Sequence, residues 1–208
     1  MISSIRKKKL TIVDYEFGNQ SSLQSSCRQL GYRATISKDP AILDQSDLLL
    51  LPGVGAFPGA MENLHRLGLA QYLQNASQKG RGIIGICLGM QILTEHSSEL
   101  GNTSGLGLIP GEVVPIGTNE WHIGWNNLES KSGNKLMEQS HGEVMYFNHS
   151  FCYQGPEEYI SAVCRKYRSS EPIVAAIHRD HLIGLQFHPE KSQKAGLRLL
   201  ARAIKELI

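Results

Sequence analysis

The sequence predicts an α/β protein with a mostly parallel, doubly wound central sheet. In the first half of the chain, short apolar segments alternate with helical patterns across short connections, which is typical of parallel strands joined by crossover helices. In the second half, several short apolar segments are separated by turns, which indicates antiparallel strands added to that sheet. The 208 residues suffice for one sizeable core and contain no linker or repeat, so we expect a single domain over residues 1–208.

The strands of the first half are predicted at residues 10–13, 33–37, 48–51 and 83–86. Helices are predicted between them from apolar residues spaced three or four apart. One predicted helix contains Leu23, Cys27 and Leu30 on one face, and a second contains Met61, Leu64 and Leu67. Two further helices are predicted over residues 69–79 and 90–96. Ligands of such sheets bind at the carboxyl ends of the strands, so we expect Asp14, residues 52–55 and Cys87 to lie near the functional site.

The second half begins with a glycine-rich loop over residues 101–111. Strands are predicted near residues 112–116, 144–147, 160–163, 174–177 and 182–185. A last helix is predicted from about residue 194, because Leu197, Leu200, Ile204 and Leu207 share one helical face.

Charge and cysteine content exclude several classes of function. The formal net charge of +2 is too small to indicate a nucleic-acid or membrane partner, and no apolar run is long enough to span a bilayer. We expect residues 1–9 to form a frayed basic extension and the protein to be cytoplasmic. The four cysteines lack the spacing of a metal site or disulfide framework, so we predict no metal and no cofactor.

Cys87 lies in the segment Gly85-Ile86-Cys87-Leu88-Gly89, directly after an apolar strand. Small residues on both sides allow a sharp strand-to-helix turn that projects one side chain, which is the geometry of a nucleophile elbow. The start of a helix there would favour a thiolate, and the Leu88 N–H could help hold an oxyanion. The alternative is that Cys87 is a small buried hydrophobic residue.

His188 and Glu190 supply a possible base and its orienting carboxylate. In an extended segment, side chains two residues apart point the same way, so Glu190 could hold the His188 imidazole. With Cys87 as nucleophile, the three would form a thiol triad. The alternative for His188 is a surface histidine beside a proline turn.

The loop Pro52-Gly53-Val54-Gly55 follows a strand and has few side chains. Such a loop can direct backbone N–H groups at a developing oxyanion. A nucleotide-binding alternative is weaker, because Pro58 stands where the third glycine of that motif would be and no Lys-Ser/Thr ending follows.

Together these motifs resemble the class I (triad) glutamine amidotransferases, in particular the glutaminase subunits of imidazole glycerol phosphate synthase. The matching segments occur in family order and extend from about residue 10 to the C-terminus: residues 52–55, 85–91, 122–126, 146–150 and 188–192. The resemblance implies a flavodoxin-like three-layer sandwich with a mostly parallel central sheet plus antiparallel additions.

The resemblance also implies an activity. Cys87, His188 and Glu190 would hydrolyse L-glutamine through a thioester to glutamate and ammonia. The oxyanion and substrate would be bound by Gly53, Val54, Gly55, Leu88, Gln91, His149 and Ser150. Ammonia would pass to a cyclase partner with a barrel fold in a heterodimer that makes imidazole glycerol phosphate in histidine biosynthesis. The partner would be contacted by Asn19, Trp125, Tyr146 and Lys191.

Four residues depart from the family pattern: Glu16, Trp121, Asn148 and Phe151. Because several of them fall near the expected partner face, two alternatives stay open. The same glutaminase could supply ammonia for sugar amidination in surface-polysaccharide biosynthesis. The chain could instead be a non-catalytic binding subunit on the same fold, although the triad residues argue against that.

Overall fold

The computed structural model describes residues 8–118, 120–165 and 171–208. Most of the frayed extension predicted over residues 1–9 therefore lies outside the described residues. For Lys9 the prediction is wrong, because this residue starts the first strand and its backbone N–H donates to Asp47 Oδ2 at 2.7 Å. No helix within these ranges combines the length and the apolar character needed to cross a bilayer.

An eight-stranded sheet forms the centre of the described structure. Its strands, in spatial order, are β2 (Arg33–Ser37), β1 (Lys9–Val13), β3 (Leu48–Gly53), β4 (Gly82–Cys87), β14 (Leu182–Leu185), β13 (Pro172–Arg179), β12 (Ile160–Arg165) and β9 (Glu129–Ser130). The first five are mutually parallel, and the last three are added antiparallel. The predicted fold class is confirmed.

Helices cover both faces of this sheet. They are α1 (Gln20–Gln29), α2 (Pro40–Leu43), α3 (Phe57–Arg66), α4 (Leu69–Gln78), α5 (Leu88–Gln91), α6 (Lys135–Glu138) and α7 (Gln193–Glu206). Successive strand residues point to opposite faces, so each central strand supplies two cores. Leu48 and Leu50 pack towards α1 and α7, whereas Leu49 and Leu51 pack towards α3 and α4. The result is three layers.

Two smaller sheets border the central one. One pairs β8 (His122–Asn127) with β10 (Val144–His149) antiparallel. The other has the order β11-β7-β5-β6, with strands β5 (His96–Ser97), β6 (Thr103–Ser104), β7 (Glu112–Pro115) and β11 (Phe151–Gln154). Strands β5, β6, β8, β9 and β11 and the short helices α2 and α6 were not predicted from the sequence.

The helix predicted over residues 90–96 is wrong. Helix α5 begins at Leu88 and ends at Gln91, and His96 belongs to β5. The carbonyls that a longer helix would use are bonded elsewhere. Backbone N–H groups of residues 105–109 donate to the carbonyls of residues 92–95, and the Thr94 hydroxyl donates to the Gln91 carbonyl at 2.8 Å. The glycine-rich loop therefore replaces the second turn of the helix.

Candidate active site

Cys87 occupies a strained turn between β4 and α5. Its φ of 54° and ψ of −114° lie where side-chain-bearing residues are rare. A Cβ at Gly89 would overlap the Leu51 carbonyl, and one at Gly85 would overlap the backbone of Gly89. Only glycine fits at these two positions, so the sequence around Cys87 is that of the sharp elbow predicted for it.

The helix that follows Cys87 is shorter than the sequence suggested. A four-residue helix has a much smaller dipole than a long one, so the predicted effect of the dipole on the thiol is weakened. The Leu88 N–H, at the first helical position, has no acceptor within the helix, and Leu88 lies in the wall of the cavity beside Cys87.

His188 and Glu190 lie close together and both are buried. His188 Nδ1 is 2.8 Å from Glu190 Oε1, and the side chains are 3% and 4% exposed. The contact between these two side chains was predicted from the sequence. The prediction that the segment from His188 to Glu190 is extended was wrong, because residues 189–191 form a 3₁₀ turn. Burial lowers the pKa of His188. Hydrogen bonds and charge interactions with Cys87 and Glu190 outweigh this and raise it to about 9.

The Pro52–Gly55 loop packs directly on the elbow. Gly53 pairs with Cys87 in register, and a Cβ at Gly53 would lie 2.8 Å from the Gly89 nitrogen. The buried Tyr15 hydroxyl donates to the Pro52 carbonyl at 2.5 Å and fixes the end of β3. Burial, assisted by the charge interaction with Cys87, raises the pKa of Tyr15 far above its usual range, so this hydroxyl stays a donor.

A cavity of about 270 Å³ opens beside Cys87. Of the residues predicted to bind substrate or oxyanion, those in its lining are Val54, Gly55, Leu88, Gln91, His149 and Ser150. Gly53 is not among the lining residues because it is buried between Tyr15 and Leu88. The cavity also contains Glu99, Trp121, Asn148 and Phe151, to which the sequence reasoning gave no role in the site.

Three of the four departures from the family pattern therefore line the cavity: Trp121, Asn148 and Phe151. The sequence placed several of the departures near the expected partner face, whereas these three lie beside Cys87. The Asn148 carbonyl oxygen lies 3.8 Å from Cys87 Sγ, so one of these positions contacts the triad through its backbone. Glu16, by contrast, has φ of 68° and is ion-paired with Lys38 and Arg66 at the surface.

Gln91 and His149 are held by the same carbonyl. Gln91 Nε2 donates to the Phe151 oxygen at 3.1 Å, and His149 Nδ1 donates to it at 2.7 Å. On its other side, His149 Nε2 lies 2.8 Å from His122 Nδ1. Burial lowers the pKa of His149 to about 3, so its ring is neutral and accepts a hydrogen bond from His122.

Three of the residues predicted to contact a partner form one cluster. The ring centroids of Trp125 and Tyr146 are 5.5 Å apart, and Lys191 Nζ lies 5.8 Å from the centroid of the Tyr146 ring. The cluster adjoins the triad, because the His188 N–H donates to the Tyr146 carbonyl at 2.9 Å. Asn19 caps α1 by accepting a hydrogen bond from the Ser22 N–H, and α1 packs against the 189–191 turn.

Strand β8 presents apolar residues outwards. Ile123 and Trp125 are 61% and 48% exposed, whereas His122, at the start of the same strand, is buried. Because the apolar side of this strand faces solvent, an outer surface suited to a partner is present beside the cavity. Among the described residues, no group of three or more histidine, cysteine or acidic side chains could hold a metal ion.

Comparisons with known proteins agree with this geometry. The family "Glutamine amidotransferase class-I" matches residues 11–207. The chain is 42% identical over 197 residues to "Imidazole glycerol phosphate synthase subunit HisH" of Streptococcus sanguinis, covering 93% of this chain and 94% of the relative. It is 40% identical over 196 residues to the protein of the same name from Aquifex aeolicus, covering 92% and 94%.

Solved structures share the fold at lower identity. "Structure of PurLQS from Thermotoga maritima" has a TM-score of 0.77 at 19% identity, covering 97% of this chain and 100% of that one. "Crystal structure of glutamine amidotransferase" has a TM-score of 0.71 at 17% identity, covering 93% and 98%.

Proposed function

Because the chain belongs to the class-I glutamine amidotransferases and, among them, to the imidazole glycerol phosphate synthase HisH subunits, we propose that it hydrolyses L-glutamine to glutamate and ammonia. The observation that carries the proposal is the strained Cys87 elbow next to the buried His188–Glu190 pair. The ammonia would be used by a cyclase partner in histidine biosynthesis.

The first step forms a thioester. Cys87 Sγ attacks the side-chain amide carbon of glutamine, and the carbonyl electrons move to oxygen. His188 then donates its proton to the amide nitrogen, the C–N bond breaks and ammonia leaves. With a pKa of about 9, His188 holds that proton at neutral pH. Glu190 stabilises the imidazolium and fixes its orientation.

The second step releases glutamate. After proton transfer, neutral His188 accepts a proton from water, which attacks the thioester carbon. The C–S bond breaks and its electron pair returns to sulfur, which restores Cys87. The two steps use the same imidazole in opposite directions, so the base must remain in contact with the nucleophile throughout.

Oxyanion and substrate contacts come from the cavity wall. The N–H groups of Leu88 and of the loop at Val54 and Gly55 are the donors we assign to the oxyanion. The two N–H groups of Gln91 are already used within the protein, so its Oε1 is the atom free to accept from substrate. Glu99, which lines the cavity and accepts a hydrogen bond from the Phe57 N–H through Oε2, would bind the α-ammonium group of glutamine.

The Trp125–Tyr146–Lys191 cluster would contact the partner. It combines an exposed aromatic surface with a cation. Its Tyr146 carbonyl accepts a hydrogen bond from the backbone N–H of His188, which connects the cluster to the triad. From the family resemblance we infer that Asn19 also lies in this interface and that the partner has a barrel fold. A reducing compartment such as the cytoplasm would keep Cys87 reduced, and we place the reaction there.

Glutamate release from glutamine tests the activity. It should be measured with a histidine-pathway cyclase of the same organism and its ligand, both present and absent. Cys87→Ala should abolish release, whereas Cys152→Ala, a partly buried cysteine outside the cavity, should retain it. Release by Cys87→Ala equal to that of the unchanged protein would remove Cys87 as the nucleophile.

The cyclase arm tests the pathway. Strong stimulation by the liganded cyclase supports the histidine assignment, which the similarity to HisH subunits favours. No stimulation, with a cyclase that is active on free ammonia, would favour the sugar-amidination hypothesis. Ammonia would then serve a different acceptor while the chemistry at Cys87 stayed the same.

A further inference from the structure

Gln186 is a buried polar residue next to the nucleophile that the mechanism above does not use. It follows β14 directly and is fully buried, and its backbone N–H donates to the Ala175 carbonyl at 2.9 Å. Its side chain reaches across to the cavity wall, where Oε1 lies 3.1 Å from Gln91 Nε2 and Nε2 lies 3.8 Å from Cys87 Sγ. A buried amide needs partners for both ends, and here both partners belong to the active site.

The hydrogen-bond network decides which end of this amide faces the sulfur. The Phe151 carbonyl can only accept, so the end of the Gln91 amide that meets it must be the NH₂ group. The second N–H of that group is directed at Gln186, which must therefore present its oxygen to Gln91. The NH₂ group of Gln186 is then left facing Cys87 Sγ. One fixed backbone carbonyl thus orients two side-chain amides in series.

The sulfur lies between groups that favour opposite protonation states. The Asn148 carbonyl oxygen, 3.8 Å from Sγ, can accept a hydrogen bond from a thiol but repels a thiolate. A donor at the same distance on the Gln186 side favours the thiolate. The protonated His188 also favours it, but His188 must give up its proton during the reaction. Gln186 is a donor that keeps its hydrogen throughout.

We propose that Gln186 is a catalytic residue, whose Nε2–H donates a hydrogen bond to the Cys87 thiolate before attack and again when the C–S bond of the thioester breaks. The proposal rests on the proposed role of Cys87 as nucleophile. Gln91 then has a second function besides substrate binding. It is a positioning residue, because it fixes the orientation of the Gln186 amide. Both amides act without changing their protonation state.

Alkylation of Cys87 by iodoacetamide as a function of pH tests this directly, with modification of the Cys87 peptide followed by mass spectrometry. The decisive variant is Gln186→Met, which has similar length and no donor. Gln186→Glu is a second variant that keeps the acceptor for Gln91 and brings a carboxylate oxygen to the sulfur. Gln154→Glu, on the exposed side of β11, is the matched control for the added charge.

The midpoint of the alkylation profile should move to higher pH by about one unit in Gln186→Met, because one hydrogen bond to a charged group is lost. At pH values well below the midpoint the rate should fall by about tenfold, and the plateau at high pH should match that of the unchanged protein. Gln186→Glu should shift the midpoint in the same direction, and Gln154→Glu should not shift it. Burial raises the pKa values of Cys27, Cys152 and Cys164 to about 12, 11 and 12, so these thiols stay protonated across the range.

An unshifted midpoint in folded Gln186→Met would overturn the proposal. If that variant does not fold, an unshifted midpoint in Gln186→Glu would overturn it. A purely structural role would lower the high-pH plateau without moving the midpoint, and this too would count against it. Alkylation needs no glutamine, so the result stands apart from glutamate release. A shifted midpoint in a protein without glutaminase activity would reject the proposed function and retain only the hydrogen bond from Gln186 to the Cys87 thiolate.

Discussion

The parallel and antiparallel parts of the molecule contribute different things to the cavity. The parallel strands β3 and β4 supply the elbow and the loop packed on it, where backbone atoms lie so close that only glycine fits at positions 85 and 89. Of the antiparallel strands, β10 supplies Asn148 and His149 to the cavity lining, and β8 and β10 together supply the ring cluster of Trp125 and Tyr146. The first part positions backbone atoms, and the second positions side chains.

This difference follows from how each part is buried. Every residue of β3 and β4 is buried, since helices cover both faces of a parallel sheet. Strand β8 is covered on one face only, so His122 and Asn126 can form hydrogen bonds inside while Trp125 stays exposed outside. We therefore expect substitutions in the parallel part to alter both stability and chemistry. Substitutions in the antiparallel part should alter either the stability or the chemistry without altering the other.

Gly89→Ala should have the largest effect. Its Cβ would overlap the Leu51 carbonyl in the middle of the sheet, so β3 or the elbow must move. We expect a loss of about 2–3 kcal/mol in the free energy of unfolding. Glutamate release should fall by about a hundredfold, because the nucleophile is displaced. Urea unfolding and the glutaminase assay measure both quantities.

Gly133→Ala is the matched control in the antiparallel part. No atom lies within 4 Å of its Cβ position and its φ is +89°, so only backbone strain of about 1 kcal/mol is expected. Its glutaminase activity should equal that of the unchanged protein. Equal activity in the two alanine variants would contradict the account of the elbow.

Glu190→Gln should change the pH dependence of the reaction. The hydrogen bond and charge interaction with Glu190 help to raise the pKa of His188 to about 9, so removing the charge lowers that pKa. The alkaline limit of glutamate release should move to lower pH, and the rate at neutral pH should fall by about a hundredfold. A pH–rate profile at saturating glutamine with the partner present checks this.

Stability gives an independent check of the same pair. The folded pKa of His188, about 9, lies above 6.5, the ordinary histidine value expected in an unfolded chain. Its contribution to stability is therefore fully present below 6.5 and lost as the pH rises through 9. The free energy of unfolding of the unchanged protein should fall over that interval, and that of Glu190→Gln should fall less. An equal fall would show that Glu190 does not set the His188 charge.

Trp125→Ala should separate stability from coupling to the partner. The ring is 48% exposed, so we expect the free energy of unfolding to change by no more than about 0.5 kcal/mol. Stimulation by the partner should fall by about tenfold, as for an aromatic residue at an interface. Ile42→Ala, on the exposed side of α2, is the control and should leave stimulation unchanged. Stimulation retained in Trp125→Ala would place the interface elsewhere.

A matched pair of helix-cap substitutions should have the smallest effects and tests whether the two parts unfold together. Asp39 caps α2 by accepting from the Ala41 N–H at 2.9 Å, and Asn134 caps α6 by accepting from the Met137 N–H at 3.0 Å. Each change to alanine should cost about 1 kcal/mol. We propose that residues 1–208 form one cooperative domain, so both variants should lower a single unfolding transition. Two transitions, each moved by one variant, would reject that proposal.

The parallel part was predicted closely from the sequence, because its signals are local. Strands β2 and β14 have the predicted bounds, and α4 differs by a single residue at one end. Strands β3 and β4 are apolar runs, and α1, α3 and α4 carry their own apolar spacing. The resemblance to a known family rests in part on the same segments, since the elbow and the His-Pro-Glu turn are short continuous motifs.

The antiparallel part was predicted less well, because its strands depend on distant partners. Strand β8 alternates polar residues inside with apolar residues outside, which reverses the usual pattern and was not recognised as a strand. Strand β11 follows β10 after one residue and pairs with β7 instead. The same dependence on distant segments explains the wrong prediction for α5 in the parallel part, which stops after one turn because the glycine-rich loop bonds the carbonyls that would have extended it.

The sequence by itself determined the fold class, the glycines that make the elbow possible and the residues that we propose as nucleophile and base, because each depends on neighbouring residues and on backbone sterics. Only the tertiary structure decided which residues surround the sulfur. Glu99, Asn148 and Gln186 reach the site from separate elements, and the role of Gln186 depends on the direction of hydrogen bonds fixed by the Phe151 carbonyl. Such directions arise when distant segments pack together, and no local pattern in the chain encodes them.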